Sequence, residues 1–222
     1  VVVITGGAGK LGQKHAEAVA EFKAIPILLD LSKDLTDTVA TRIMREYGVK
    51  CLGFEVDITK EDQVSDCCQK LLDEFGKIDV LINNATNNPK VETAEKEQNF
   101  SRLENFDLEI WNKDIAVGLT GAFLCSKHFG LAISKNSNGG SIINISSDLG
   151  VIAPDQKLYQ KDGLSDEQQT VKPVSYSIVK TGLLGLTRYL STYWAHKNVR
   201  CNALCPGGIK NDQLTDDFLT DM

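Results

Sequence analysis

The chain opens with four consecutive apolar, β-branched residues, then a glycine-rich stretch, and then a helical pattern that continues to about residue 22. Residues 1–4 predict a strand that is buried on both faces of a parallel sheet. The glycines that follow let the backbone turn tightly and approach a pyrophosphate, and the N-terminus of the helix offers free N–H groups to the same anion. A strand, a glycine loop and a helix in this order predict a dinucleotide-binding site. We assign to it Gly6, Gly9, Lys10, Leu11 and Gly12.

An acidic side chain ends the second predicted strand, at residues 25–30. Asp30 in this position can accept hydrogen bonds from the ribose hydroxyls of adenosine and would repel a 2′-phosphate. No Arg lies beside it in the sequence, although Lys33 is near. We therefore predict NAD as the cofactor, with NADP as the less favoured alternative.

The alternation of strand and helix continues along the chain. Further strands are predicted at 50–56, 78–82, 141–145 and 199–204, and further helices at 36–47, 60–75, 111–135 and 174–196. This pattern predicts an α/β fold, a doubly wound parallel sheet (Rossmann fold) in three layers, with a ligand crevice at the carboxyl ends of the strands. Because 222 residues, 42% of them hydrophobic, can bury one substantial core, residues 1–222 are predicted to form a single domain. Gly6, Asp30, Asp57 and Asn84 follow predicted strands and are expected to line the crevice.

Tyr176 and Lys180 stand near the start of the last long helix. Residues four apart share a helix face, so the ammonium of the lysine can lie close to the phenol. A free tyrosine has a pKa near ~10, and acting as a base near neutral pH requires a pKa shift of roughly 3 units. A neighbouring cation is one of the few groups able to supply that shift. Taken alone, the spacing also fits an amphipathic helix with a surface lysine.

Composition excludes several classes of function. The net charge of −6, and the absence of any basic block, argue against nucleic-acid binding. Six cysteines and three histidines show no metal-ligand spacing, so we predict no metal site and reduced thiols in a cytoplasmic protein. No apolar run approaches the ~20 residues of a membrane span. The chain lacks an initiator Met and ends abruptly at Met222, so we expect missing terminal residues, at the C-terminal end in particular.

Six motifs, in order, make nearly the whole chain resemble the short-chain dehydrogenase/reductase family. They are the glycine loop, Asp57-Ile58, Asn83-Asn84-Ala85, Ser146-Ser147-x-x-Gly150, Tyr176-x-x-x-Lys180 and Asn202-Ala203-x-x-Pro206-Gly207. The resemblance implies NAD(P)-dependent hydride transfer to or from a carbonyl or alcohol carbon. It implies that Tyr176 is the acid/base, that Lys180 lowers its pKa and holds the nicotinamide ribose, and that Ser147 binds the substrate oxygen. It further implies cofactor contacts at Asp57, Ile58, Asn84, Ala85, Tyr176, Lys180, Pro206, Gly207 and Ile209.

The chain departs from the family pattern in a few positions. Lys10 replaces the second glycine of the shorter members, Gly118 replaces the asparagine of the catalytic tetrad, Thr86 replaces a glycine, and Asn211 replaces a threonine. The 29 residues between Ser147 and Tyr176 are closer to the family's extended, sugar-nucleotide branch. We predict the shorter, single-domain branch with an insertion at about 151–173.

The insertion is rich in polar and charged side chains, which suit a small polyhydroxylated or phosphorylated substrate better than a steroid or an acyl chain. Its composition is similar to that of bacterial dehydrogenases associated with nonulosonic-acid sugars and flagellin-glycan modification. An exposed loop with no ligand role is the alternative interpretation of this segment.

Two other functions stay open at this point. One is an extended-type sugar-nucleotide epimerase or dehydratase, and the other is a catalytically silent NAD-binding regulator. The family resemblance also implies a homodimer or homotetramer, formed through the two long helices at 111–135 and 174–196.

Overall fold

The computed structural model describes residues 1–87 and 101–208. Within these ranges the fold is one parallel sheet of six strands in the order β3-β2-β1-β4-β5-β6. The strands are β1 (Val2–Thr5), β2 (Pro26–Asp30), β3 (Leu52–Glu55), β4 (Val80–Asn83), β5 (Gly140–Ile145) and β6 (Val199–Leu204). This order confirms the predicted doubly wound sheet, in which the chain reverses direction between β1 and β4 and opens a crevice at the strands' carboxyl ends.

Five main helices cover the two faces of the sheet. They are α1 (Lys10–Glu21), α2 (Lys33–Tyr47), α3 (Glu61–Phe75), α4 (Leu108–Ile133) and α5 (Val174–Tyr193). Helix α4 is continuous, but its hydrogen bonding is π-helical at Ala116–Thr120 and Ser126–Gly130.

The buried core is divided into two clusters by the alternation of side chains along the strands. In β1, Val2 and Ile4 face a cluster that α1 and α2 complete, whereas Val3 faces the opposite cluster, which α3, α4 and α5 complete. The helices therefore form the two outer layers and the sheet forms the middle layer, as the continuous apolar strands predict.

Helix α4 is the predicted long, apolar helix, and it begins three residues earlier than expected. Its 26 residues and mean hydropathy of 1.3 make it the one helix in the described ranges that is long and apolar enough to cross a membrane. Half of that helix is buried within the fold, as is usual for a core helix of a globular domain. Glycines allow close packing here: a Cβ on Gly130 would lie 2.6 Å from Cζ3 of Trp194.

Other boundaries also differ from the prediction. Helix α2 begins at Lys33 rather than at residue 36, because the Ser32 hydroxyl accepts a hydrogen bond from the Leu35 N–H and caps the helix. Strand β3 is only four residues long, shorter than the predicted 50–56.

The insertion folds back on itself through polar contacts. It contains two short 3₁₀ helices, Gln156–Tyr159 and Asp166–Gln168. The Lys172 N–H donates to Oε1 of Gln156 (2.8 Å), and the Thr170 hydroxyl donates to the Tyr159 carbonyl (2.7 Å). These bonds join the end of the insertion, just before α5, to its first half.

Candidate active site

The glycine loop between β1 and α1 has the geometry of an anion cradle. Gly6 adopts a positive φ of 62°, which favours glycine, and its carbonyl accepts the Gly9 N–H (3.1 Å). A Cβ on Gly12 would lie only 2.1 Å from the Gly6 carbonyl oxygen, so α1 packs directly against the loop. The first turn of α1 presents the N–H groups of Lys10 and Leu11, which have no partner within the helix. These residues fit the diphosphate of a dinucleotide.

Asp30 ends β2 beside this loop. Its carboxylate accepts the N–H of Ala8 (3.0 Å) from the glycine loop and the N–H of Leu31 (2.8 Å). Lys33 is the nearby cation that kept NADP as an alternative cofactor. It forms an ion pair with Asp37, one turn further along α2. The carboxylate is therefore held at the edge of the cradle, where a ribose hydroxyl could reach it.

The residues after β3 divide between the crevice and the core. Oδ1 of Asp57 accepts both the N–H (2.9 Å) and the hydroxyl (2.7 Å) of Thr59, which fixes the turn. Ile58 was expected to contact the cofactor, but its side chain is buried, and a Cβ on Gly121 would lie 2.6 Å from its Cδ1. Only the backbone of Ile58 is then able to face a ligand.

The Asn-Asn-Ala motif ties the end of β4 to the glycine loop. The side-chain amide of Asn84 donates to the carbonyls of Thr5 (2.9 Å) and Gly6 (3.2 Å), and the Ala85 N–H donates to the Thr5 hydroxyl (3.0 Å). The side chain of Asn84 thus holds the cradle in shape.

A buried amide network behind this motif was missed by sequence reasoning. Nδ2 of Asn83 donates to Oδ1 of Asn144 (2.8 Å) on β5, and Nδ2 of Asn144 donates to the hydroxyl of Thr187 (2.8 Å) on α5. Both asparagines are almost fully buried, so these bonds satisfy polar groups that would otherwise be costly to bury. The sequence does signal this network, because Asn83 ends one apolar strand and Asn144 interrupts another.

The structure brings the three predicted catalytic side chains together. Ser147 follows β5, while Tyr176 and Lys180 lie on the first two turns of α5. Ser147 lies close enough to Tyr176 to lower its pKa, and Lys180 Nζ lies 5.6 Å from the centroid of the tyrosine ring. Lys180 is buried, and its Nζ donates to the Ile145 carbonyl (2.8 Å). Burial, reinforced by the nearby charge of Lys172, lowers the pKa of Lys180 to about 8.

The electrostatics of Tyr176 differ from the expectation that Lys180 lowers its pKa. Burial raises the pKa of Tyr176, the hydrogen bond from Ser147 lowers it, and the charge of Asp148 raises it. The Lys180 ammonium is directed instead toward the backbone of β5.

Asp148 lies directly beside the catalytic serine. Its Oδ1 accepts a hydrogen bond from the Ser147 hydroxyl (2.7 Å), and its N–H donates to the carbonyl of Pro206 (3.1 Å) after β6. A hydroxyl has a single proton to donate, so Asp148 competes with Tyr176 for the proton of Ser147. A Cβ on Gly207 would lie 3.5 Å from Oδ2 of Asp148, so the Pro-Gly motif also borders this site. Ile209, the last expected cofactor contact, and Asn211 lie outside the described residues.

Two charged residues near Tyr176 were not identified from the sequence. Lys172, at the end of the insertion, places its Nζ 3.7 Å from the centroid of the Tyr176 ring. Asp114 on α4 is buried, and it accepts hydrogen bonds from Nδ2 of Asn87 (2.7 Å) and from the hydroxyl of Ser175. The sequence offered a sign of each residue. Asp114 is an acid among the apolar residues of α4, and Lys172 is a second lysine that lies four residues from the tyrosine.

A small cavity of about 10 Å³ lies between these groups, with room for about one water molecule. It is lined by Thr86, Asn87, Asp114, Pro173, Ser175, Tyr176 and Val179. Gly118 lies nearby, and a Cβ there would be 2.5 Å from Cγ1 of Val179. The valine therefore occupies the space that a side chain at position 118 would need.

Comparison with known proteins agrees with this geometry. A family model described as "Enoyl-(Acyl carrier protein) reductase" matches residues 7–219. The chain is 31% identical to cis-4-hydroxycyclohexanecarboxylate dehydrogenase of Sinomonas cyclohexanicum, covering 93% of this chain and 72% of that protein. It is also 31% identical to the NAD-dependent glycerol dehydrogenase of Listeria innocua, covering 93% and 69%.

Among solved structures, NAD⁺-bound xylitol dehydrogenase superimposes with a TM-score of 0.77 at 25% identity, covering 94% of this chain and 71% of that one. The matched sheet, the intact Ser-Tyr-Lys set and the family model lead to one conclusion. The chain belongs to the short-chain dehydrogenase/reductase family of NAD(P)-dependent oxidoreductases, which act on alcohol and carbonyl groups.

Proposed function

We propose that this protein is an NAD-dependent dehydrogenase or reductase that transfers hydride between nicotinamide and the alcohol or carbonyl carbon of a small, polyhydroxylated substrate. The observation that carries the proposal is the meeting of Ser147, at the carboxyl end of β5, with Tyr176 and Lys180 on the first two turns of α5. The nicotinamide supplies the hydride chemistry when it is bound.

The side chains divide the remaining work. In alcohol oxidation, Tyr176 accepts the hydroxyl proton of the substrate, and the Ser147 hydroxyl stabilises the charge that develops on the same oxygen. Lys180 adds a positive charge beside the phenol. In carbonyl reduction, Tyr176 returns the proton to the substrate oxygen.

NAD is the preferred cofactor in this proposal. The carboxylate of Asp30 is held beside the glycine loop, where it would accept the ribose hydroxyls and repel a 2′-phosphate. Lys33 pairs with Asp37, so its charge is already partly neutralised. The L. innocua relative is itself named as NAD-dependent, and the xylitol dehydrogenase structure contains NAD⁺.

The proposed substrate is neutral and rich in hydroxyl groups. The carboxylate of Asp148 lies beside Ser147, where it would accept a hydrogen bond from a second hydroxyl and repel a nearby phosphate or carboxylate. Two of the compared proteins are named for polyols, glycerol and xylitol. The polar insertion would cover such a substrate from the side of α5.

NADH absorbance with a panel of polyols and sugars tests this proposal. Tyr176→Phe should lose roughly 10²- to 10⁴-fold in kcat, because it lacks the acid/base. Tyr159→Phe, in the insertion, serves as the matched control and should keep its activity. Turnover of a panel member by Tyr176→Phe at the wild-type rate would show that the tyrosine has another role.

We also propose that the protein is a cytoplasmic homo-oligomer. Six large apolar side chains on α4 and α5 are exposed: Leu108 (70%), Phe123 (51%), Leu131 (48%), Ile178 (45%), Tyr189 (61%) and Tyr193 (53%). Apolar side chains in this number on adjacent helices suit a contact between subunits. All six cysteines lie in the described ranges and are free thiols, which suits a reducing compartment. Sedimentation at micromolar concentration should show a dimer or tetramer; a monomer would refute the oligomer.

A further inference from the structure

The insertion ends by placing a lysine against the catalytic tyrosine. Lys172 Nζ lies 3.7 Å from the centroid of the Tyr176 ring, closer than Lys180 Nζ at 5.6 Å. The backbone of Lys172 is held in turn by Gln156 within the insertion, through the 2.8 Å bond from its N–H. The buried Pro173 separates Lys172 from α5 and restricts the chain at that point. The position of this ammonium is therefore set by the fold of the insertion.

A cation above an aromatic face is attracted by the electron density of the ring. That density increases when the phenol ionises, so the same contact favours phenolate over phenol. Lys172 is thus in a position to offset part of the burial that raises the pKa of Tyr176. Lys180 contributes its charge from farther away, 5.6 Å from the ring centroid, with its Nζ directed to the Ile145 carbonyl.

We propose that Lys172 is a positioning residue that stabilises the phenolate of Tyr176 through its ring, so that the insertion adjusts the base strength of the active site. This role rests on the proposed function, in which Tyr176 is the acid/base. The insertion would then act on the ionisation of Tyr176 in addition to covering the substrate.

Within residues 1–87 and 101–208, three other charged groups lie near Tyr176, each on a different element. Lys180 lies on α5, Asp148 follows β5, and Asp114 on α4 lines the cavity that Tyr176 shares. Asp148 opposes ionisation of the phenol, and the two lysines favour it. Lys172 also lowers the pKa of Lys180 by repulsion. Removal of Lys172 should therefore raise the pKa of both Tyr176 and Lys180.

The test is the pH profile of kcat/KM for polyol oxidation in Lys172→Met, Lys172→Arg and Lys161→Met. In Lys172→Met, both limbs should move to higher pH, the acidic limb by roughly 0.5–1 unit, because ionised Tyr176 has lost a cation. Lys172→Arg keeps a cation over the ring and should keep the wild-type profile. Lys161→Met removes another lysine of the same insertion and should also leave the profile unchanged.

Two outcomes would overturn the proposal. If Lys172→Met lowers the maximum of kcat/KM but leaves both limbs of its pH profile in place, Lys172 supports the structure and does not affect the ionisation of Tyr176. An equal shift in Lys161→Met would show a general effect of charge in the insertion.

A second measurement does not depend on turnover. The ultraviolet difference spectrum between each protein and its Tyr176→Phe counterpart reports the titration of Tyr176 alone. The midpoint should be higher in Lys172→Met than in wild type, and an unchanged midpoint would refute the role of Lys172. Should the wild type fail to bind NADH in a fluorescence titration, the proposed function fails, and this titration still decides the effect of Lys172 on Tyr176.

Discussion

Replacing Asp148 by asparagine removes a negative charge next to the catalytic pair while keeping the shape of the side chain. Oδ1 of Asp148 lies 2.7 Å from the Ser147 hydroxyl, and both residues act on the pKa of Tyr176. We take roughly 5 Å, the span of two hydrogen bonds in series, as the working separation between the carboxylate and the phenol oxygen. At that separation the Coulomb energy is about 3 kcal/mol for an effective dielectric constant of 20 and below ~1 kcal/mol for bulk water. Because Asp148 is partly exposed, we expect a value between these, about 1.4 kcal/mol, or one pKa unit.

The sign of the effect follows from the charge. Asp148 raises the pKa of Tyr176, so Asp148→Asn should lower it and move the acidic limb of kcat/KM for alcohol oxidation about one unit to lower pH. The pH profile of NADH formation measures this shift. Asp73→Asn, an exposed acid on α3, is the control and should leave the limb in place. An acidic limb that stays fixed or moves upward in Asp148→Asn would refute the electrostatic account of this site.

Three further substitutions test other parts of the structure. Gly12→Ala places a Cβ 2.1 Å from the Gly6 carbonyl, so both the melting temperature and the affinity for NADH should fall, as thermal denaturation and fluorescence titration would show. Asp30→Ser removes the acid at the cradle, so the ratio of kcat/KM for NAD to that for NADP should fall at least ~10-fold. Asp114→Ala leaves a buried donor, Ser175, and a half-buried donor, Asn87, without their acceptor, and urea unfolding should show a loss of about 2–4 kcal/mol, with kcat reduced as well.

A control variant accompanies the Gly12→Ala prediction, and a specific result would contradict each of the other two predictions. Gly185→Ala is the matched glycine substitution, since nothing lies within 4 Å of a Cβ there; it should leave the affinity for NADH unchanged and should not lower the melting temperature, because alanine favours a helix more than glycine. If Asp30→Ser keeps the wild-type preference for NAD over NADP, the adenosine ribose does not bind at Asp30. For Asp114→Ala, a stability equal to that of wild type would mean that the hydrogen bonds of this carboxylate contribute nothing to the fold.

The sheet and the cradle could be predicted because their causes are local. Residues 1–4 are continuously apolar, and the glycines follow at once, so strand, loop and helix could each be located from a few neighbouring residues. The alternation of strand and helix predicted a doubly wound parallel sheet, and the structure confirmed it.

The electrostatics of the site could not be predicted in the same way, since they depend on contacts between distant segments. The spacing of Tyr176 and Lys180 suggested a lowered tyrosine pKa, but burial outweighs that effect, and the lysine Nζ is engaged by β5. Asp114 lies 61 residues from Ser175, its hydrogen-bond donor on α5. Nothing in the local pattern of α4 indicated this pairing. The direction of Lys172 toward the tyrosine ring likewise depends on how the insertion folds.

The central claim is that this protein transfers hydride and that Tyr176 moves the accompanying proton. The most direct measurement follows deuterium from the reacting carbon of the polyol that the panel selects to the nicotinamide ring, by mass spectrometry of the reduced cofactor. Wild type should deliver deuterium to the ring, whereas Tyr176→Phe should bind NADH normally and deliver almost none. Reduced cofactor without deuterium in the wild type, or full deuterium transfer by Tyr176→Phe, would contradict the account.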